Sequence, residues 1–167
     1  MSLADSLAIG LGMDSHRLVD GGPLVLGGVE IPFPRRMHGH SDGDCLVHAI
    51  LDALLSAGAQ PDLGSLFSDT DDANKDRSSL DMAREVSRRL KVAGARILSI
   101  DALVICDEPK VAPLREAMCR AIAEALDIEV NRLNVKGKTS EGMGALGRGE
   151  GIEARAVALV ERGQVGS

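Results

Sequence analysis

Residues 8–16 read Ala8-Ile9-Gly10-Leu11-Gly12-Met13-Asp14-Ser15-His16. Ala8 to Met13 is short and apolar-rich, which predicts a strand ending at Asp14-Ser15-His16. Strand side chains alternate between faces, so Asp14 and His16, two apart, point the same way. Leu24-Val25-Leu26 and Val29-Glu30-Ile31 flank Gly27-Gly28, a hairpin pattern. From Asp42 to Ala57 the apolar residues Leu46, Ile50, Ala53, Leu54 and Ala57 recur at helical spacing, with Ser41 or Asp42 placed to cap the first turn. A Gly/Pro/Asp-rich loop follows from Gly58 to Asp76, with an apolar patch at Leu63 to Phe67. A second helix is predicted over Ser79–Ala93, stopped by Gly94. Ile97 to Cys106 reads as a buried strand, Pro113 to Leu126 as a third helix, and Arg132–Lys136 and Ile152–Val160 as the last strands, separated by the Gly-rich loop Gly142–Gly151. This order predicts an α+β fold: one domain over residues 1–167, a mixed β-sheet with helices packed on one face. Residues 1–7 and 162–167 are expected to fray.

Composition narrows the function. The 167 residues carry 25 acidic and 19 basic side chains, a net charge of −6, and no Lys/Arg-rich run. A nucleic-acid binder needs a basic face, so that class is excluded. There is no Trp or Tyr and only two Phe, which removes base stacking on aromatic platforms. No apolar stretch approaches the ~20 residues that span a bilayer, and Met1–Ser6 has no secretory pattern. Cys45, Cys106 and Cys119 are odd in number and lack CxxC spacing, as expected of reduced thiols in a cytoplasmic protein.

Four places carry chemistry. Asp14, His16 and the helix residue His48 make a workable Zn²⁺ tripod with a fourth position open; a core histidine bonded to a carbonyl is the other reading of His48. Asp44 and Asp52, one turn either side of His48, are candidates to hold its second ring nitrogen or are simply solvated; Cys45 could compete as a ligand, but a buried Cys mostly behaves as a small hydrophobe, which is the favoured reading. His40-Ser41-Asp42-Gly43-Asp44 opens a helix, where backbone N–H groups attract anions. Asp62, Asp69, Asp71 and Asp72 surround Phe67 in a loop that suits sugar hydroxyls, Mg²⁺ or plain solvent. Beyond a strand lies Cys106-Asp107-Glu108-Pro109-Lys110. Lys136-Gly137-Lys138-Thr139-Ser140-Glu141 then leads into glycines, which suits phosphate plus a divalent metal without being a Walker A loop.

Together these pieces resemble the 2-C-methyl-D-erythritol 2,4-cyclodiphosphate synthase family from about Ile9 to Val160. The resemblance rests on Gly12–His16, Leu26–Val29, His40–Asp44 with His48, Asp62–Gly64, Phe67–Asp71, Pro109-Lys110, Asn134–Lys136, Thr139 with Glu141, and Gly147–Gly151. It implies a homotrimer with active sites between subunits and a small cytidine diphosphate substrate, 4-diphosphocytidyl-2-C-methyl-D-erythritol 2-phosphate, cyclised with release of CMP. It implies one Zn²⁺ per chain on Asp14, His16 and His48, and Mg²⁺ or Mn²⁺ on Glu141. It makes His40 and Thr139 donors to the phosphoryl oxygens. Ser15, Ser41, Asp62, Leu63, Gly64, Phe67, Asp69 and Asp71 would hold the methylerythritol part. Cys106, Pro109, Lys110, Ala112, Lys138 and Ser140 would form the cytidine and phosphate loops, and Arg148 would face the trimer axis. Lys138 replaces a common Thr, Ser68 a common Pro, and Met13 and Ala145 the bulky residues that can line the axis. Two other functions remain on the residues alone: a zinc-containing cytidine-nucleotide-binding module and a zinc phosphodiesterase using the open metal position to activate water.

Overall fold

Asp14 and His16 lie within a strand rather than at its end. In the computed structural model, which describes residues 6–39, 41–68 and 77–163, β1 runs from Leu7 to Asp20. It outlasts the apolar run because neighbours pair along its whole length. Strand β7 (Gly151–Glu161) covers Leu7 to Arg17, and β4 (Arg35–Met37), absent from the sequence reading, takes over from Leu18 to Asp20. The five-stranded sheet has the order β4-β1-β7-β5-β6, where β5 is Arg96–Ile105 and β6 is Leu133–Lys138. Only β5 and β6 are parallel, so the sheet is mixed, as expected. The predicted hairpin forms from β2 (Leu24–Leu26) and β3 (Val29–Ile31), with Gly27 and Gly28 in the left-handed region that the turn demands.

Helix α1 (Cys45–Ala57) lies over β1 and β7. Ten of its thirteen residues are buried, so it is a core helix rather than an amphipathic one. Its closeness to the sheet comes from two glycines. A Cβ on Gly10 would sit 1.9 Å from the Ala53 carbonyl oxygen, and one on Gly12 would sit 2.0 Å from that of Ala49. The strand and the helix backbone are therefore in direct contact. The inward face of β7 answers with Ala154, Ala156 and Ala158, all buried.

Helix α1 begins three residues later than expected. Gly43 turns the chain with a φ of 74°, and Asp44, not Ser41 or Asp42, caps the helix by accepting the Val47 N–H at 3.1 Å. A short helix, α2 (Leu63–Leu66), forms within the predicted loop and is capped by Asp62. Helix α3 (Ser79–Val92) matches its prediction, with Gly94 at positive φ behind it. The third predicted helix splits into a 3₁₀ turn at Ala112–Leu114 and α4 (Arg115–Leu126). A four-residue helix, α5 (Gly144–Gly147), interrupts the Gly-rich loop. Leu7 and Arg162, placed in the termini expected to fray, are held: Leu7 pairs with Glu161, and the Arg162 side chain donates to the Ala57 carbonyl of α1 at 2.7 Å. Residues 1–5 and 164–167 lie outside the described residues.

The other sheet face is uncovered. Ile9, Leu11, Met13 and Val157 are 72%, 68%, 59% and 46% exposed and lie on adjacent strands. Contiguous apolar surface of that kind marks an interaction face.

Candidate metal centre and nucleotide loops

The inward register of β1 that places Gly10 and Gly12 under α1 carries on to Asp14 and His16. They meet His48 on the first turns of α1. Asp14 Oδ2 is the hub: it lies 2.9 Å from His16 Nε2 and 3.0 Å from His48 Nδ1. Among the described residues this is the one group whose donor atoms could share a metal ion, all within 4.8 Å of one another. It lines a cleft of about 670 Å³ together with Ser41, Asp62, Leu63, Gly64 and Phe67.

A proton inventory shows that the group fits a cation. His16 Nδ1 lies 2.7 Å from the His38 carbonyl, which can only accept, so Nδ1 carries a proton and Nε2 is left to face Asp14. His48 Nε2 lies 2.9 Å from the Ser79 hydroxyl. Burial pushes the Asp14 carboxyl up, but the hydrogen bonds from His16 and His48 outweigh it and hold the group well below the usual carboxylate range. The Asp14 bond raises His16 against the lowering effect of its burial. Two imidazoles thus converge on a carboxylate that stays charged. One His/His/Asp set with an open side suits zinc chemistry.

A second set gathers where β5 and β6 end. The Cys106 N–H donates to the Lys138 carbonyl at 3.0 Å, and the Ser140 N–H donates to Asp107 Oδ1 at 2.8 Å. These bonds lash residues 106–112 to residues 138–141. Gly137 has no room for a side chain because Val111 lies against it. Lys110 donates to the Asp107 carbonyl, and Thr139 donates to Glu141 Oε1 at 2.9 Å. Glu141 itself sits at a φ of 51°, a conformation that a non-glycine residue adopts only when its surroundings impose it. Backbone groups and hydroxyls dominate this corner.

The two sets do not meet within one chain. Asp14 is level with Ala154, Ala154 with Val104 and Val104 with Gly137. They share one height on the sheet but stand three strands apart, roughly 14 Å at about 4.8 Å per strand.

Residues 7–161 match the family model described as the YgbB family. Proteins named 2-C-methyl-D-erythritol 2,4-cyclodiphosphate synthase from Burkholderia mallei (strain SAVP1) and Burkholderia pseudomallei (strain K96243) are each 51% identical over 154 residues, 92% of this chain and 95% of theirs. The chain belongs to this cyclodiphosphate synthase family. Solved structures agree. IspF of Plasmodium falciparum, as a CDP complex, is 30% identical with a TM-score of 0.83, covering 95% of this chain and 98% of its own. The bifunctional IspDF of Campylobacter jejuni is 33% identical with a TM-score of 0.90; this chain is matched over 95% of its length and spans 43% of that longer one.

Against that family the structure sorts the predicted site residues. Asp14, His16, His48, Ser41, Asp62, Leu63, Gly64 and Phe67 share the cleft. Asp62 also caps α2 through the Ser65 N–H at 2.7 Å. Ser15 falls on the opposite, exposed face of β1, its N–H donating to Asp14 Oδ1 at 2.9 Å. Cys106, Pro109, Lys110, Ala112, Lys138, Thr139, Ser140 and Glu141 form the separate corner. Burial and the nearby Asp107 and Glu108 carboxylates push the Cys106 thiol up to about 11, and Sγ faces the Pro109 carbonyl, so only backbone is offered there. Arg148 is exposed and ion-paired with Glu150 at 2.6 Å. His40, Asp69, Asp71 and Asp72 lie outside the described residues.

Neither carboxylate offered as a partner of the His48 ring takes that place. The Asp44 carboxylate is fully buried and accepts from the Gly27, Gly28 and Val47 N–H groups, holding the hairpin turn to the start of α1. Asp52 accepts instead from the Leu63 N–H at 3.3 Å. Cys45 is fully buried in the core, in keeping with a thiol that packs as a small hydrophobe, and burial pushes the thiol up. The partner of His48 is Ser79, 31 residues away and read from sequence only as a helix start. Nothing in the local pattern at Ser79 could have shown it.

Proposed function

We propose that this isoprenoid-pathway enzyme converts 4-diphosphocytidyl-2-C-methyl-D-erythritol 2-phosphate into the 2,4-cyclodiphosphate and CMP, at a site built from two neighbouring copies of the chain. The observation that carries the reading is the convergence of Asp14, His16 and His48 in a cleft, beside a family match over residues 7–161. In the reaction an oxygen of the 2-phosphate bonds to the β-phosphorus. The bond from that phosphorus to the oxygen bridging it to the α-phosphate breaks, and CMP leaves with that oxygen. No water enters. A phosphate is already an ionised nucleophile, so a general base is unnecessary, and positioning with charge neutralisation carries the rate.

Asp14, His16 and His48 would hold Zn²⁺, which when bound withdraws charge from the β-phosphate as a Lewis acid. Glu141 would hold Mg²⁺ or Mn²⁺; a lone exposed carboxylate suits an ion that keeps its waters and phosphate ligands. The Thr139 hydroxyl, now on Glu141, is free to turn toward a phosphoryl oxygen, with His40 as a second donor. Ser41, Asp62 and Asp69 would take the methylerythritol hydroxyls, with the Leu63, Gly64 and Phe67 wall excluding water. Backbone groups of residues 106–112 would read the cytosine edge, which suits a chain without aromatic platforms.

A homotrimer is the assembly proposed. Two features support it: the uncovered apolar face of β1 and β7, and site halves too far apart to act within one chain. Three buried, unpaired thiols are in keeping with a cytoplasmic setting, and among the described residues no helix is long and apolar enough to cross a membrane.

Incubation with the diphosphocytidyl substrate, Zn²⁺ and Mg²⁺ tests the reading by ³¹P NMR. Cyclic product with CMP is expected. A linear product would indicate a phosphodiesterase, and unchanged substrate a binding module; either outcome refutes the proposal.

A further inference from the structure

The loop joining β4 to α1 sends Asp42 across to α3, and the contact ends on His48, a member of the candidate metal group. Asp42 Oδ2 accepts the Ser79 N–H at 2.8 Å, doing the capping that Ser78 does not do. Asp42 Oδ1 accepts the Ser79 hydroxyl proton and, at 3.2 Å, the Asp44 N–H. Ser79 is fully buried. Its single hydroxyl proton has two possible destinations, Asp42 Oδ1 and His48 Nε2. An ionised carboxylate has no proton to offer, so if the hydroxyl pointed to His48, two bare oxygens would face each other in close contact without a hydrogen between them. The proton therefore lies toward Asp42, and Ser79 Oγ is left as an acceptor. His48 must then donate through Nε2. Ser41 Oγ, at 3.4 Å from the same nitrogen, is a longer and weaker partner, and it already accepts from the Gly43 N–H.

We infer that Ser79, backed by Asp42, is a positioning residue that keeps a proton on His48 Nε2 and so reserves Nδ1, the nitrogen on the Asp14 side, for the metal. The inference rests on the metal-site reading above. It gives His48 what the His38 carbonyl gives His16: an outer acceptor that decides which ring nitrogen can coordinate. Outer partners of this kind typically contribute about 10–100-fold to metal affinity.

The chain of bonds makes an unusual demand on Asp42→Asn. The amide oxygen can keep the Ser79 N–H, preserving the cap of α3. The amide NH₂ then donates to Ser79 Oγ, and the Asp44 N–H loses the acceptor it has at 3.2 Å. The Ser79 hydroxyl proton must turn to His48 Nε2, and the imidazole proton moves to Nδ1, the side that faces the metal. Ser79→Ala removes the acceptor without reversing it.

The test combines two measurements on the full chain. In metal-free protein labelled with ¹⁵N-histidine, long-range ¹H–¹⁵N spectra should show His48 Nε2 protonated in the wild type and bare, as the Nδ1–H tautomer, in Asp42→Asn. Zinc affinity, by competition with a chromophoric chelator, should fall about 10–100-fold in both Asp42→Asn and Ser79→Ala and recover substantially in Ser79→Thr, which restores a hydroxyl. An Nδ1–H tautomer in the wild type overturns the inference whatever the variants do, as does unchanged zinc affinity in both variants. Wild-type protein that takes up no zinc overturns the metal-site reading together with the inference. Normal zinc uptake with the wrong tautomer overturns the inference alone.

Discussion

Asp44 is a fully buried carboxylate whose work is structural. Its two oxygens accept three backbone N–H groups, two from the Gly27-Gly28 turn at 2.9 and 2.6 Å and one from the first turn of α1. Burial pushes this carboxyl above its ordinary value, and the three donors offset only part of that rise. Asn at this position keeps one acceptor oxygen and brings a donor NH₂ against donor N–H groups. Asp44→Asn should therefore cost about 1–3 kcal/mol, the price of a buried hydrogen-bonding group left unpaired. Urea denaturation checks it; a midpoint equal to wild type would mean that the turn is held by packing alone.

At the scale of elements, the site depends on how closely α1 lies on β1. Gly12 faces Ala49, the residue after the ligand His48. A methyl group there would meet the helix backbone, which cannot rotate away as a side chain can. Gly12→Ala should destabilise the fold by about 3 kcal/mol or more and lower zinc stoichiometry, because lifting α1 carries His48 from Asp14. Chemical denaturation alongside elemental analysis measures both; a stable variant with full zinc would show that the layer spacing has slack. Helix α3 supplies a pH-dependent feature. Hydrogen bonds from Arg77 and then Arg89 hold the Glu85 carboxyl below its ordinary value, against a small opposing effect of burial. A depressed carboxylate contributes stability above its unfolded pKa and loses it as pH falls through the folded one. Glu85→Gln should therefore narrow the gap to wild type on acidification below about pH 4.5, by no more than about 1 kcal/mol for partly exposed ion pairs. A gap that does not change between pH 7 and pH 3 would contradict that sign.

For the whole molecule, the decisive question is whether one site needs two chains. His48→Ala removes a residue of the metal half and Thr139→Ala one of the nucleotide corner. Each variant alone should be nearly inactive. If trimers are dissociated, mixed in equal amounts and reassembled, some sites combine an intact cleft from one chain with an intact corner from the next. Random assembly restores about a quarter of wild-type turnover in a cyclic oligomer with shared sites. No recovery, with exchange of chains verified by mass, would place both halves in one subunit. Val157→Lys, on the uncovered face, should shift the mass by light scattering toward the monomer; an unchanged mass would remove that face from the interface.

Much of this protein is legible along the chain because short-range periodicity carries it. The alternation that pairs Asp14 with His16, the helical spacing that places His48, and the Gly27-Gly28 hairpin are all local, and backbone geometry alone enforces them. The β4 strand and the extension of β1 to Asp20 are not local: they exist because distant segments pair with them. The mistaken assignment of Asp44 and Asp52 to His48 has the same origin. A turn of helix separates them in sequence, but the hairpin and α2 claim both carboxylates in space. Ser79 reaches His48, and Asp42 reaches Ser79, only after the layers have packed. Residues alone thus determined most of the element order and the family, and singled out Asp14, His16 and His48 as the candidates that the fold brings together. Tertiary structure decided which polar group each buried donor met, since that choice is settled by long-range packing and by the cost of leaving a buried hydrogen bond unmade.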